Sequence, residues 1–145
     1  MRMRVMLAAG ILAAVILISA GGQLRAFAQG SRKVFQISAV SYKYTPNLIS
    51  VNRGDTVVIQ FSNDDPERRS HSIAARWLVN LDVAARGTFR TGVADERRFF
   101  ATDAGQKFEI EFVASQAGSF PFVCGISNHG ALGQSGAINV VAAGP

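Results

Sequence analysis

The most informative part of the sequence is its last quarter, where residues 117–141 read AGSFPFVCGISNHGALGQSGAINVV. The opening Ala-Gly pair is a turn signal, and the mostly apolar run over residues 120–124 predicts a strand. Glycine, serine and asparagine dominate residues 125–130, which predicts a loop, and residues 137–141 have a strand pattern again. The stretch therefore predicts two strands joined by a loop, with a cysteine ending the first strand and a histidine inside the loop.

Short strand patterns precede this stretch throughout the chain. They cover residues 33–40, 48–51, 56–61 and 107–113, and turn signals follow at 52–55 and 63–66. The segment 107–113 alternates phenylalanine and isoleucine with charged residues, as expected of a strand with one buried face. Such strands with little helical periodicity predict an all-β fold, an antiparallel β-sandwich or barrel. The segment 76–105 is less regular: Trp77–Leu81 fits either a strand or a helical turn reaching Ala85.

The N-terminus has the features of an export signal. MRMR is a short basic start, residues 5–20 form an uncharged apolar run, and Ala26-Phe27-Ala28 has the small-x-small form that signal peptidase accepts. We therefore expect a signal peptide over 1–28 and one domain over 29–145. The domain is expected in the periplasm or another extracytoplasmic compartment, and the alternative to cleavage is an uncleaved N-terminal anchor.

The composition excludes several classes of protein. The formal charge of +5 for 145 residues includes three arginines of the leader, so the remainder carries only +2, which argues against a nucleic-acid partner. Cys124 is the only cysteine, and His71 and His129 are the only histidines. One cysteine excludes an intrachain disulfide framework and any site that needs two thiolates.

The single thiol and the two imidazoles all lie where strands end. His129 follows Cys124 after four residues, and His71 follows the 56–61 strand and its turn. Taken singly, a cysteine is usually a small core residue and a histidine a surface or core residue. Together they are the donor set of a mononuclear thiolate copper site, because soft sulfur suits Cu(I) and imidazole suits both oxidation states. The sequence therefore favours a metal site.

Several motifs over residues 33–141 resemble the cupredoxins, the blue (type 1) copper family. They are residues 42–46 and 49–55 as opening strands, 61–65 leading to His71-Ser72, 117–124 before the thiolate, and 129–140 as a plastocyanin-like ending. The four-residue gaps on either side of His129 resemble the phytocyanin and auracyanin branches. The resemblance implies a Greek-key sandwich or barrel with one copper ion, Cu(I) or Cu(II), that shuttles single electrons.

The resemblance also implies a ligand set. His71, Cys124 and His129 match the three strong ligands, and Gln134 stands where the family usually has methionine, as in its stellacyanin-like members. An oxygen donor there would stabilise Cu(II) and lower the reduction potential. The other candidate donors are Asn128, as a rival axial ligand, and Asp64, Asp65 and Glu67, as ligands of a carboxylate variant.

Residues around these ligands take roles from the same resemblance. The backbone N–H of Ser72 would donate to the Cys124 sulfur, and Asn63 or Asp65 would join the two ligand loops by hydrogen bonds. His129 would be the electron port, and an apolar patch formed by Gly130, Ala131 and Leu132 would dock redox partner proteins briefly.

The function expected from these observations is electron transfer by a small, monomeric, exported copper protein. The first alternative is an extracytoplasmic copper chaperone or storage protein, which would need an open site. Another is an enzyme that uses Cys124 and His129 as nucleophile and base, but no nucleophile motif surrounds the cysteine. A metal-free module of the same fold is the last alternative, although such modules have usually lost a ligand and this chain retains all three.

Overall fold

The computed structural model describes residues 30–142, so the predicted signal peptide and its cleavage site lie outside the described residues. The strands of this part are β1 (Arg32–Val40), β2 (Lys43–Thr45), β3 (Leu48–Asn52), β4 (Thr56–Asn63), β5 (His71–Ala75), β6 (Ala84–Gly87), β7 (Arg90–Ala94), β8 (Arg97–Thr102), β9 (Lys107–Val113), β10 (Gly118–Val123) and β11 (Ser135–Val141). In residues 30–142 we find no helix long and apolar enough to cross a membrane.

The strands form two packed sheets, as the all-β prediction requires. One sheet has the order β2-β1-β4-β9-β6 and the other β3-β11-β10-β5-β8-β7. Most neighbours are antiparallel, but β1 pairs with β4 and β11 pairs with β3 in parallel. The sandwich is therefore mixed rather than purely antiparallel. The chain crosses to the other sheet between β1 and β4, and such a crossover allows a parallel pair where a tight hairpin would not.

The core lies between the sheets and follows the alternation read from the sequence. Phe108, Ile110 and Phe112 of β9 are all buried, as predicted for that face. In the register of β4 and β9, Phe61 lies opposite Phe108, and their rings stack with centroids 4.7 Å apart. Aromatic and β-branched pairs of this kind stabilise neighbouring strands across one face.

The segment 76–105 is more ordered than its sequence indicates. Trp77 to Leu81 is a turn, neither of the two structures considered for it, and three strands follow, β6 to β8. Strand β8 pairs with β5 along its length, so this segment extends the second sheet. Its pattern is weak because β6 is fully exposed and β7 nearly so, which leaves no hydrophobic alternation to read.

Three strands begin or end at the same end of the sandwich. Strand β5 begins at His71, β10 ends just before Cys124, and β11 begins just after Gln134. Because β10 runs antiparallel to both β5 and β11, these termini meet at the same edge. The backbone N–H of Cys124 donates to the carbonyl oxygen of Gln134 at 3.0 Å, which closes the base of the loop containing His129.

Candidate metal centre

Three donor atoms converge at this edge. The sulfur of Cys124 lies 3.9 Å from Nδ1 of His71 and 3.6 Å from Nδ1 of His129. The ligand atoms of the three residues all lie within 4.8 Å of one another. Their exposed fractions are 0% for His71, 3% for Cys124 and 6% for His129. The sandwich thus brings a thiol and two imidazoles from distant loops into one enclosed cluster.

The spacing of these donors fits one metal ion. Bonds of roughly 2.0 Å to nitrogen and 2.3 Å to sulfur, in a trigonal arrangement, separate the two donor atoms by about 3.7 Å. The two measured sulfur–nitrogen distances, 3.9 and 3.6 Å, bracket that value. Thiolate and imidazole together suit copper. No carboxylate belongs to the cluster among residues 30–142, which leaves the carboxylate variant without support.

Gln134 is fully buried at the end of the loop that contains His129, and within residues 30–142 one of its polar side-chain atoms has no partner. Its Nε2 donates to the carbonyl oxygens of Val40 at 3.2 Å and Lys43 at 3.4 Å. Its Oε1 is buried and has no hydrogen-bond partner within residues 30–142. A buried amide oxygen without a partner costs free energy unless a ligand or ion satisfies it. The side chain therefore offers an oxygen donor, whereas Asn128 is exposed.

The thiol of Cys124 is surrounded by donors. Burial alone would raise its pKa, but His71, the backbone N–H groups of Ile126 and Ser72, and the Ser72 hydroxyl lower the pKa below its ordinary value. The Ser72 hydroxyl lies 3.7 Å from the sulfur and accepts a hydrogen bond from the N–H of Gly125 at 2.8 Å. These contacts favour the thiolate, which is the form that binds metal.

A carboxylate contacts the ring nitrogen of His71 that faces away from the cluster. This nitrogen, Nε2, lies 2.6 Å from Oδ2 of Asp65, and both side chains are buried. Burial alone would lower the pKa of His71, but Cys124 and Asp65 raise it above its ordinary value. Burial would raise the pKa of Asp65, yet hydrogen bonds from His71, Ser41 and the Glu67 N–H lower it.

The hydrogen bonds correct one expectation about the neighbouring residues. Asn63 donates to the carbonyl oxygens of Arg69 at 2.8 Å and Thr102 at 3.1 Å, and its Oδ1 accepts from the N–H of Asp65. Among the hydrogen bonds of residues 30–142, none joins Asn63 or Asp65 to the loop containing His129. The bridge between the two ligand loops is Ser72, through its bond to Gly125, because the first residues of β5 lie directly against the end of β10.

His129 lies nearest the surface but is covered by an aromatic ring. The rings of Tyr42 and His129 form a T-shaped pair with centroids 5.1 Å apart, and the Arg69 guanidinium lies 5.5 Å from the centre of the Tyr42 ring. Burial first, then the positive charges of His71 and Arg69, lower the pKa of His129 below its ordinary value. Of the expected docking patch, Ala131 and Leu132 are exposed and Gly130 is half-buried.

Three contributors to the site carry no clear signal in the sequence. Tyr44 donates from its hydroxyl to the Ser72 carbonyl oxygen at 2.5 Å, and burial, followed by the Cys124 charge, raises its pKa. Ile126 contributes only its backbone N–H. Tyr42 has a positive φ of 46°, a backbone state that a tyrosine pattern does not predict.

The fold and the site can be compared with known proteins. No family model matches the chain, and no curated protein matches it. Among solved structures, auracyanin B superposes with a TM-score of 0.57 at 12% identity, covering 76% of this chain and 88% of that one. Auracyanin from Roseiflexus castenholzii gives 0.57 at 18% identity, covering 77% and 99%. Auracyanin A, a blue copper protein from Chloroflexus aurantiacus, gives 0.50 at 16% identity, covering 75% and 98%.

These likenesses define a class of protein by fold. The chain has the cupredoxin fold, a two-sheet β-sandwich, and at its loop edge it carries a buried His-Cys-His cluster. The resemblance to the cupredoxins stated from the sequence is therefore confirmed. At these identities the superpositions establish the architecture, and the chemistry of the site rests on this chain's own residues.

Proposed function

We propose that this protein is a type 1 copper protein that carries single electrons between redox partners. The observation that carries the proposal is the convergence of one thiol and two imidazoles, whose sulfur–nitrogen distances match those expected for three ligands of one metal ion. Bound copper supplies the chemistry of a one-electron carrier, because it is stable both as Cu(I) and as Cu(II).

The protein's part is to hold the donors still. His71 is fixed by Asp65, the sulfur of Cys124 lies against Ser72, and the loop between Cys124 and Gln134 is closed by a backbone bond. Donors fixed by the surrounding structure do not rearrange when the charge of the ion changes. A small rearrangement favours fast electron transfer, so these contacts support the carrier function that the convergence of the donors indicates.

Gln134 is proposed as the fourth ligand. Its amide orientation is set by two carbonyl acceptors, so the oxygen is the atom left free. Oxygen is a harder donor than the thioether sulfur of methionine and stabilises Cu(II) relative to Cu(I). We therefore propose a lower reduction potential than that of a methionine-ligated site.

The enclosure of the three donors favours an electron carrier over the chaperone alternative. A chaperone exchanges its copper with a partner's ligands and needs an open coordination position. Here the three strong donors are at most 6% exposed, and Tyr42 covers the outermost of them. The same enclosure disfavours an enzyme that uses Cys124 as a nucleophile, since a substrate would have no access to the sulfur.

We further propose that the protein works outside the cytoplasm as a monomer. The export signal expected over residues 1–28 supports this location. Ala131 and the half-exposed Leu132 lie in the same loop as His129, a suitable surface for brief docking of a redox partner.

Copper titration of the purified protein tests the proposal. We expect one equivalent of Cu(II) to give an intense visible band from charge transfer between sulfur and copper, and C124S to lose it. S127A is the control, because Ser127 lies in the same loop and is exposed. Binding of Cu(I) alone, with rapid loss of the metal to a chelator and no visible band from Cu(II), would instead support the chaperone alternative.

A further inference from the structure

The two histidines of the site are held in different ways. His71 is fully buried, and its outer nitrogen, Nε2, lies 2.6 Å from the Asp65 carboxylate. His129 makes no hydrogen bond from Nε2 within residues 30–142 and is packed against Tyr42 instead. Within residues 30–142, only His71 of the two imidazoles therefore has a carboxylate against the ring nitrogen that faces away from the Cys124 sulfur.

The carboxylate is fixed on several sides. The Ser41 hydroxyl donates to Oδ2 of Asp65 at 2.8 Å, and the N–H of Glu67 donates to Oδ1 at 2.7 Å. Arg69 donates to the Ser41 hydroxyl at 2.6 Å, and its guanidinium lies 4.0 Å from Oδ1 of Asp65. The Asp65 side chain is itself fully buried, so water does not screen its charge from the ring.

This arrangement has a direct electronic consequence. An imidazole that binds metal through Nδ1 carries its proton on Nε2, and that proton here points at a carboxylate. A carboxylate acceptor makes the ring a stronger donor and fixes its orientation. A stronger donor stabilises the more highly charged state of the ion, which for copper is Cu(II).

We propose that Asp65 is a positioning residue that sets the redox preference of the site through His71, by holding a fixed negative charge on its Nε2–H. The inference rests on the proposed copper function and deepens it. It assigns to a carboxylate outside the ligand set a share in lowering the reduction potential, separate from any contribution of Gln134.

D65N tests this role. Asparagine retains the shape and a carbonyl acceptor for His71 but removes the charge. We expect the visible band to persist and the reduction potential to rise, with the Cu(II)-to-Cu(I) affinity ratio falling roughly tenfold, equivalent to ~59 mV for one electron. D64N is the matched control, because Asp64 is the adjacent acid, is exposed, and within residues 30–142 its carboxylate accepts hydrogen bonds only from Ser38 and Ser62. An unchanged or lower potential in D65N, or an equal rise in D64N, overturns the proposal.

S41A gives a second test with the opposite sign. Ser41 is half-buried in the turn between β1 and β2, so its hydroxyl is removed without opening the core. The Ser41 hydroxyl donates to the same Asp65 oxygen that contacts His71, so without this donor more of the negative charge of that oxygen faces the ring. The potential is then expected to fall. A rise or no change in S41A contradicts the inference, and S41A decides the matter if D65N does not fold.

Zinc binding separates this inference from the proposed function. Zn(II) uses the same thiolate and imidazole donors but has no redox chemistry. We expect D65N to weaken Zn(II) affinity 10- to 100-fold, the range typical for loss of such a partner, and D64N to leave it unchanged. A wild-type protein without the visible copper band, but with this Zn(II) difference, contradicts the electron-carrier function and retains only the role of Asp65 in positioning His71 as a metal ligand. Equal Zn(II) affinities in D65N and wild type overturn the role of Asp65 alone.

Discussion

Gln134 is the residue at which this chain departs from the usual cupredoxin pattern, and its surroundings explain how an amide fits there. The Nε2 group is occupied by the carbonyl oxygens of Val40 and Lys43, while Oε1 is buried without a partner. Methionine at this position would lose both donated bonds and would present sulfur in place of oxygen. The side chain of Gln134 therefore ties the end of the loop containing His129 to the turn after β1.

Q134M is expected to retain the visible band and to raise the reduction potential. The reason is the loss of a hard oxygen donor that favours Cu(II). A tenfold loss of that preference corresponds to about 59 mV, measured by redox titration of the band. Q116M is the control, since Gln116 is an exposed residue between β9 and β10. An unchanged potential in Q134M would show that the amide does not bind the metal.

Ser72 is the residue that joins the two ligand loops. S72A removes the acceptor of the Gly125 N–H and the hydroxyl next to the Cys124 sulfur. Ser72 is fully buried, and loss of the hydrogen bond between its hydroxyl and the exposed Gly125 costs about 0.5–1.5 kcal/mol. We expect urea unfolding of the metal-free protein to show a loss of that size. S38A, which removes an exposed hydroxyl bonded to Asp64, is expected to change stability by less than about 0.5 kcal/mol.

Among the elements, β4 and β9 carry half of the buried aromatic side chains of residues 30–142, namely Phe61, Phe108 and Phe112. Phe108 of β9 stacks on Phe61 of β4 and is 3% exposed, whereas Val113 at the end of the same strand is 49% exposed. F108A is expected to destabilise the protein by about 3–5 kcal/mol, because it leaves a cavity between the sheets. V113A should cost less than about 1 kcal/mol. Equal losses for the two variants in urea unfolding would contradict this assignment of the core.

The elements also show why some strands could be predicted and others could not. Strands β1, β4 and β9 alternate or are rich in β-branched residues, and their observed bounds agree with the sequence pattern to within two residues. Strand β5 (His71–Ala75) is buried at every position, so it has no alternation to read. Strands β6 and β7 are edge strands with almost no buried face. The parallel pairs depend on crossovers between sheets, which local patterns do not encode.

The three strongest ligand candidates of the site could be predicted because their residue types are rare in this chain, whereas the contacts around them could not be predicted in this way. Cys124, His71 and His129 were found because the chain offers no other thiol or imidazole. The sequence predicts that the Asp65 carboxylate joins the two ligand loops, but it contacts His71 at the start of β5 instead. Asp64 and Glu67 lie close to Asp65 in the sequence, so the pattern does not indicate which of these acids contacts the histidine. Tyr42 was missed because its contact with His129 depends on a turn conformation.

At the scale of the whole molecule, the carboxylate of Asp55 connects two chain segments at the end of the sandwich opposite the candidate metal centre. It accepts hydrogen bonds from the backbone N–H of Ser31 at 2.8 Å and of Asn52 at 2.9 Å, and from the Ser31 hydroxyl. The Asn52 and Ser31 bonds lower the pKa of Asp55 below its ordinary value. The start of β1 is thereby tied to the turn between β3 and β4.

This carboxylate predicts a pH dependence of stability. A group whose pKa is lower in the folded state stabilises the fold above its unfolded pKa of about 3.9, and that contribution is lost as the pH falls through the folded value. D55N should therefore be less stable than wild type at pH 7, and the gap should narrow at pH 3. Urea unfolding at both pH values measures this, with the exposed D82N as control. A gap that stays constant with pH would contradict the role of the Asp55 charge.

The central claim is that one thiolate and two imidazoles bind a single copper ion in this sandwich, and electron paramagnetic resonance of the Cu(II) protein tests it most directly. The account predicts one copper per chain with the small hyperfine splitting of a thiolate-bound type 1 site, lost in C124S. A large splitting typical of a tetragonal nitrogen and oxygen site, unchanged by C124S, would contradict it.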